Sequence, residues 1–458
     1  MNYEESVRSL LALGRELAAP RQPALSSAPG ALVQKFGLEN IRTLSAELGN
    51  PHLAVPCVHI AGTNGKGSTA AMVESILRVA GLRTGLYTSP HLERINERIR
   101  ISGEEISDEA FAAAWTRVHA AIESLLASGK LASHPTFFEC VTAIAFLAFA
   151  DHKIDFAVYE VGLGGRLDST NIVQPEVAVI TPIDFDHENF LGHSIEEIAG
   201  EKAGIIKPLA WIVTAPQSPE AIGVIRRRAS ELSARLIEVE AVWQVQEVAG
   251  VGHGLYRAIA SSSLSNRTID IAPALAGKFQ IQNALTAATA AYLLAERGFP
   301  VNDIAILRGI AEVRWPGRLE KLSDQPTVYL DGAHNPAAAR ELRKFWEENF
   351  VGRRIFLVYG AMRDKAVDEI AGLLFPVTQG VILTQPRQSR AISAPLLAEI
   401  TAGLAPATTI VPDPVDALER ALAMASPQDV IFATGSLFLV GDLRHYWKSR
   451  AAETSRTG

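Results

Sequence analysis

The chain has only two cysteines, Cys57 and Cys140, in 458 residues. They lie far apart and form no metal-spaced pair, which argues against a disulfide framework and against a thiolate zinc site. It also lacks a basic excess: 43 Lys and Arg against 50 Asp and Glu leave a net charge of −7. A general nucleic-acid binder needs the opposite balance, although a local basic pocket for an anion stays open. Long apolar runs are missing as well. The longest, Cys140 to Ala150, is interrupted only by Thr142 and is too short to cross a bilayer. It reads as a buried core helix. Nor does the start look like a signal peptide, since Met1 to Pro20 interleaves Glu4, Glu5, Arg8, Arg15 and Glu16 in the manner of an amphipathic helix. No internal repeat and no long low-complexity segment is found. These absences leave the expectation of a cytoplasmic, monomeric globular protein with neither nucleic-acid nor membrane partners.

The length is too great for one core, so at least two domains are expected. Short β-rich runs alternate with helical patterns, the signature of parallel α/β architecture. Strands are expected at Cys57–Ala61, Ile154–Val161 and Val177–Thr181. Met72, Val73, Ile76, Leu77 and Ala80 share one face of a helix that Gly81 stops. Ser194 and Glu197 have the spacing of a capping box. Residues 240–275 read as a peripheral β segment, and Asn283 to Arg297 as an alanine-rich helix. Arg314-Trp-Pro-Gly-Arg318 looks like a hinge. Beyond it a second α/β unit is expected, with strands at Thr327–Asp331, Arg354–Tyr359, Gly380–Thr384 and Asp429–Ala433. The domain division is therefore 1–312 and 313–458, and the polar tail Ala451–Gly458 is expected to fray.

The first chemical signal is Gly62-Thr-Asn-Gly-Lys-Gly-Ser68 between a strand and a helix. Backbone N–H groups at a helix start favour phosphate, glycines let the chain approach it, and Lys66 adds a full charge. The alternative is a glycine-rich turn with a solvated lysine. The spacing departs from the usual phosphate loop: a glycine is wanted at Ile60, and Gly67 separates Lys66 from Ser68. Kinase and GTPase readings weaken accordingly, and a hydroxyl for magnesium has to come from elsewhere. Glu160 ends an apolar strand, where open α/β sheets face their ligand crevice, and suits magnesium unless it pairs with Arg166. His187 lies beyond the adjacent strand. It is either a metal ligand or a hydrogen-bonded loop histidine, and imidazole is an unusual partner for magnesium. Lys202, judged on spacing alone, is a helix-end lysine offsetting the dipole.

Five stretches resemble the folylpolyglutamate synthase/dihydrofolate synthase branch of the Mur ligase family. They are Gly62–Ser68, Tyr87-Thr-Ser-Pro-His-Leu92, Glu160-Val-Gly-Leu-Gly-Gly-Arg-Leu-Asp168, the run from Asp186-His187 through Glu201-Lys-Ala-Gly204, and Asp331-Gly-Ala-His-Asn-Pro336. The resemblance implies the Mur ligase architecture: a phosphate-loop ATPase domain on a parallel sheet, then a smaller Rossmann-like α/β domain. It implies an ATP-dependent ligase that adds L-glutamate to dihydropteroate, to folate, or to both, through an acyl phosphate. ATP would be held by Thr63, Asn64, Gly65, Lys66, Gly67 and Ser68, with Asn283, Arg318 and Asp331. Magnesium would be held by Ser89, Glu160 and His187. Lys202 would be carbamylated, turning a cation into a metal-orienting anion. Lys66, Lys202, Arg318 and His334 would form the catalytic set. Thr136, Phe137, Phe138, Glu139, Leu167, Asp168 and Ser169 match stretches that contact the pterin. Phe137 and Phe138 are suited to stack a flat ring, although one of the two is expected in the core.

Two other readings compete. A peptidoglycan-type Mur ligase shares the chemistry, but the loop begins only about 60 residues in, which leaves little room for a UDP-binding domain. A phosphate-loop switch without ligase activity does not account for Asp331–Pro336. The glutamate pocket is poorly defined, with Ala433-Thr-Gly-Ser436 as a weak candidate.

Overall fold

Buried strands with helices on both faces organise each half of the chain. The structure is a computed structural model and describes residues 1–14 and 37–457. The first sheet contains β1 (Cys57–Ala61), β2 (Thr84–Tyr87), β3 (Ile99–Ile101), β4 (Glu104–Glu105), β5 (Phe156–Glu160), β6 (Val177–Ile180), β7 (Trp211–Thr214) and β8 (Arg235–Glu238). Their order is β4-β3-β2-β5-β1-β6-β7-β8. β2, β5, β1, β6, β7 and β8 are parallel, and β3 and β4 add an antiparallel edge.

Alternate residues of β1 feed opposite faces of the sheet. Val58 and Ile60 pack with Met72, Val73 and Ile76 of helix Lys66–Val79. Cys57 packs with Phe146 and Phe149 of helix Phe137–Asp151, which carries the longest apolar run as a buried core helix. Phe146 and Phe149 meet Tyr159 with ring centroids 5.3 and 5.6 Å apart. Truncating either to alanine would cost on the order of 3–5 kcal/mol. Cys57 and Cys140 are both free and buried.

The irregular stretch near residue 250 is an antiparallel sheet of β9 (Trp243–Gly252), β10 (Leu255–Ser262) and β11 (Arg267–Ile271). It is tied to helix Phe279–Glu296 by Trp243 Nε1, which donates to Thr289 Oγ1 at 2.8 Å. That helix begins four residues earlier than the alanine pattern indicates.

The third sheet holds β12 (Glu320–Asp324), β13 (Thr327–Leu330), β14 (Ile355–Tyr359), β15 (Gly380–Leu383), β16 (Thr408–Ile410) and β17 (Val430–Thr434), in the order β12-β13-β17-β14-β15-β16. Only β12 runs antiparallel. The four strands expected in this unit are all present. The half-exposed edge strands β12 and β16 were not foreseen, because little apolar patterning marks them.

Ser194 caps helix Ile195–Ala203 with both bonds of the capping box. Helix Tyr3–Ala12 forms within the predicted amphipathic segment; residues 15–20 of that segment lie outside the described residues. One expectation is corrected: the backbone of helix Leu437–Thr457 continues to Thr457, because packing of its first turns carries the polar tail along. Among the described residues no helix is long and apolar enough to cross a membrane.

Candidate active site

β5 and β6 flank β1 on opposite sides, so the winding of the first sheet reverses there. Ligands of open α/β sheets bind at such a reversal, outside the strand C-termini. The loop Gly62–Ser68 leaves β1 at this point. Gly62 has φ +146°, and a Cβ on it would lie 2.9 Å from the Thr181 carbonyl oxygen. Gly65 caps the following helix at φ +85° with no side-chain hydrogen bond, which leaves the first N–H groups of the helix open to an anion. Thr63 Oγ1 donates to the Asp184 carbonyl at 2.9 Å and fastens the loop to the end of β6. Gln280 reaches Ser68 Oγ at 3.5 Å, and the Asn283 amide lies over Gly65.

Lys66 Nζ donates to the carbonyls of Gly62 and Thr63, each at 3.1 Å. Lys202 Nζ donates to the same Gly62 carbonyl at 2.8 Å. Two lysine amines, one partly buried and one buried, therefore share one oxygen. Burial first, and then the charge of Lys66, lower the Lys202 amine to about 7, with Asp186 opposing. Lys202 stands in the last turn of helix Ile195–Ala203, as its spacing indicated, but its side chain is buried and its amine is directed to the Gly62 carbonyl.

Glu160 is buried at the end of β5, and its carboxylate accepts the Ser89 N–H at 3.2 Å. The pairing with Arg166 is not formed: Arg166 grips Glu201 instead, at 2.8 and 3.0 Å. Burial raises the Glu160 carboxyl, against the opposing charges of Lys66 and Arg318. Arg318, in the connection between helix Asp303–Glu312 and β12, thus bears on Glu160 and Lys66 alike.

His187 holds a left-handed turn at φ +53°. Its Nε2 lies 3.3 Å from Lys365 Nζ, and its buried Nδ1 has no hydrogen-bond partner. Asp186 beside it is a junction between lobes. It takes Lys365 Nζ at 2.5 Å and Asn335 Nδ2 at 3.3 Å, with His334 Nε2 at 3.5 Å. Asn64 and Asn335 exchange amide hydrogen bonds of 2.9 and 3.3 Å. Asp331 is otherwise occupied: its two oxygens accept the N–H groups of Leu319 and Ala333, each at 2.9 Å, tying the hinge to the turn.

Between the lobes lies a cavity of about 800 Å³. Its apolar wall includes Pro90, Phe138, Leu163 and Leu167; its opposite wall carries His334, Lys365, Arg390 and Ser436. Thr136 and Glu139 line it while forming the capping box of helix Phe137–Asp151. Both phenylalanines line the cavity and touch the same core cluster, Phe137 buried within it and Phe138 partly exposed. Asp168 holds the double-glycine loop, accepting the N–H groups of Gly162 and Leu163 at 3.0 Å each. Ser169 is buried alongside it.

Residues 60–291 match the model of the Mur ligase middle domain, and residues 317–437 that of the Mur ligase glutamate ligase domain. The dihydrofolate synthase/folylpolyglutamate synthase of Bacillus subtilis is 37% identical over 90% of this chain and 94% of its own. The chain belongs to the Mur ligase family, in its folylpolyglutamate synthase/dihydrofolate synthase branch. Folylpolyglutamate synthase of Mycobacterium tuberculosis, solved with ADP and AMPPCP, superimposes with a TM-score of 0.83 at 33% identity, over 96% of this chain and 99% of that one. Escherichia coli FolC in complex with DHPP and ADP gives 0.83 at 29% identity, over 98% and 99%.

Within this Mur ligase site, sequence reasoning missed Lys365, Asp364 and Arg390. They lie in loops that follow β14 and β15, at the strand ends where a crevice is expected. That positional rule alone would have found them.

Proposed function

We propose that this chain uses ATP to join L-glutamate to dihydropteroate, to the glutamyl end of a folate, or to both, through an acyl phosphate. An ATP-dependent carboxylate–amine ligase is the class to which its family belongs. The observation that carries the reading is the cavity between lobes, with an aromatic and apolar wall on one side and a cationic wall on the other. A pterin fits the first wall, with Phe138 to stack it. The second suits an amino acid with two carboxylates. Arg390 lines the cavity 3.9 Å from the Asp364 carboxylate, and Lys365, paired with Asp186, lines it too.

A carboxylate becomes a competent electrophile once it receives the γ-phosphoryl group of ATP. That step needs positioning and neutralisation of charge rather than a protein nucleophile. The uncapped helix start holds the phosphates, and Lys66 and Arg318 balance the charge from either lobe. The amine of glutamate then attacks the acyl carbon from the cationic wall, and phosphate leaves. Closure of the lobes excludes water that would otherwise hydrolyse the mixed anhydride.

Glu160 as a buried carboxylate, the Ser89 hydroxyl and the His187 Nδ1, which has no hydrogen bond and lies 3.8 Å from Asp364, would hold a magnesium ion. Magnesium would supply charge neutralisation at the transferring phosphoryl group. Lys202 fits carbamylation. Its amine is neutral in part near pH 7, and the resulting anion would replace a repulsion with Lys66 by an attraction.

The test offers purified chain, ATP, magnesium and glutamate with dihydropteroate, tetrahydrofolate or a UDP-sugar acceptor, and resolves products by mass. A glutamate adduct on either pterin is expected. Ligation confined to the UDP-sugar acceptor, or ATP hydrolysis that ignores every acceptor, would overturn the reading.

A further inference from the structure

Three charged side chains from three segments meet where the lobes touch. Glu93 follows directly on the Tyr87–Leu92 stretch, Glu320 opens β12, and Arg444 lies in helix Leu437–Thr457. Arg444 Nη1 donates to Glu93 Oε1 at 2.5 Å, and its Nε donates to both oxygens of Glu320 at 2.9 and 3.0 Å. Lys448 adds a second contact to Glu93 at 2.7 Å. Glu320 in turn accepts the N–H of Gly317 at 2.8 Å, inside the hinge. An apolar seam runs beside the charges. Leu92 packs against the core of the second lobe, and a Cβ on Gly317 would sit 3.1 Å from both Leu92 and Val440. The helix passes Leu92 at Gly441, where a Cβ would collide with the Leu92 carbonyl.

Exposed ion pairs contribute little, about 0–1 kcal/mol. This one differs. Its side chains are only 11%, 16% and 24% exposed at Glu93, Arg444 and Glu320, and one guanidinium serves two carboxylates from different lobes. Removing that guanidinium takes away the one side chain that joins the two carboxylates: Glu93 keeps Lys448 at 2.7 Å, and Glu320 is left in a partly buried seam with only the Gly317 N–H.

We infer that the Glu93–Arg444–Glu320 cluster is an interlobe latch that positions Ser89 and Arg318 for phosphoryl transfer. Ser89 lies four residues before Glu93 on one side of the latch, and Arg318 follows Gly317 on the other. These three are positioning residues. They touch neither nucleotide nor acceptor in the proposed reaction, and they act by fixing how far apart the two halves of the site stand.

The latch rests on the ligase reading only through its activity assay, so the test carries a second, independent measurement. Spin labels at exposed Glu123 and Glu399, introduced as cysteines, report the distance between lobes with ADP bound. Arg444→Met is expected to broaden and lengthen that distance. It should also lower kcat 10- to 100-fold while changing the ATP KM less than threefold. Adding Glu320→Gln to Arg444→Met should recover part of the loss, because it removes the carboxylate that Arg444 alone neutralises, whereas a merely destabilised fold would lose further. Should Arg444→Met fail to fold, Glu93→Gln and Arg444→Lys decide, with an expected three- to tenfold loss in kcat at unchanged ADP affinity. An unaltered label distance together with turnover within twofold of the parent would overturn the latch. A parent chain that ligates nothing would sink the functional reading, and the label distance would still judge the latch.

Discussion

The turn from β1 into helix Lys66–Val79 and the turn from β13 into helix Pro336–Asn349 share one plan, and they meet across the cleft through Asn64 and Asn335. Their helix starts differ. The first is capped by Gly65, whose missing side chain leaves the leading N–H groups unpaired. The second is closed: Asn335 accepts the N–H of Ala338 at 2.9 Å, and Pro336 removes another donor. A helix start that must hold an anion keeps its donors free, while one that presents side chains satisfies them locally. The first turn is therefore suited to bind, and the second to deliver His334 and Asn335 to Asp186.

The comparison breaks most completely when the open turn loses its charge. Lys66→Met should reduce ligation on the order of 1,000-fold, as loss of a key electrostatic group does, measured as steady-state product formation. Next comes the lysine beneath the same turn. Lys202→Ala should lose about 100-fold in turnover, partly restored by short carboxylic acids that stand in for a carbamate. An alanine variant with full activity would remove the carbamate from the scheme.

The same lysine gives a signed dependence on pH. Its folded pKa is lowered from 10.5 to about 7. Between those values the unfolded chain holds a proton that the folded chain has released, so stability rises with pH across that window. Below about 7 both states carry the proton, and the cost of burying the charge is complete. In carbon-dioxide-free buffer Lys202→Met should therefore gain stability over the parent below pH 7, with the gap closing toward pH 10.5, read from urea midpoints.

A smaller effect follows from filling the open turn. Gly65→Ala would place a Cβ 2.5 Å from the Asn283 amide oxygen at a left-handed φ. Strain of roughly 1–3 kcal/mol should appear as up to about 100-fold weaker ADP binding by calorimetry. Least disruptive is the opening of the closed turn. Asn335→Ala removes a cap worth about 1 kcal/mol, which a urea midpoint would register, and should change ADP affinity less than Gly65→Ala does. If the two variants reversed that order, the division between an open and a closed turn would be wrong.

Much of this was legible in the chain itself. Cys57–Ala61 was bounded to the residue, because a strand covered on both faces is apolar throughout and glycine ends it abruptly. The capping box at Ser194 was visible because its two bonds span three residues. Harder cases depended on partners distant in sequence. Whether Glu160 paired with Arg166 turned on Glu201, 35 residues beyond Arg166, which takes the guanidinium. Phe137 and Phe138 are adjacent and identical in kind, and only the direction of the helix buries the first and leaves the second partly exposed in the cavity that both line. The short edge strands β12 and β16 escaped notice because half-exposed strands carry little pattern.

By itself, then, the sequence determined the α/β class of both units, their central strands, the glycine-rich turn after β1 and the family, since each rests on neighbours within a few residues of one another. The tertiary structure alone decided that Lys202 shares a carbonyl with Lys66, that Lys365 and Arg390 face the apolar wall, and that Arg444 joins Glu93 to Glu320. Those depend on how two sheets are set against each other, and hydrophobic packing of the lobes fixes that arrangement over distances no local pattern encodes.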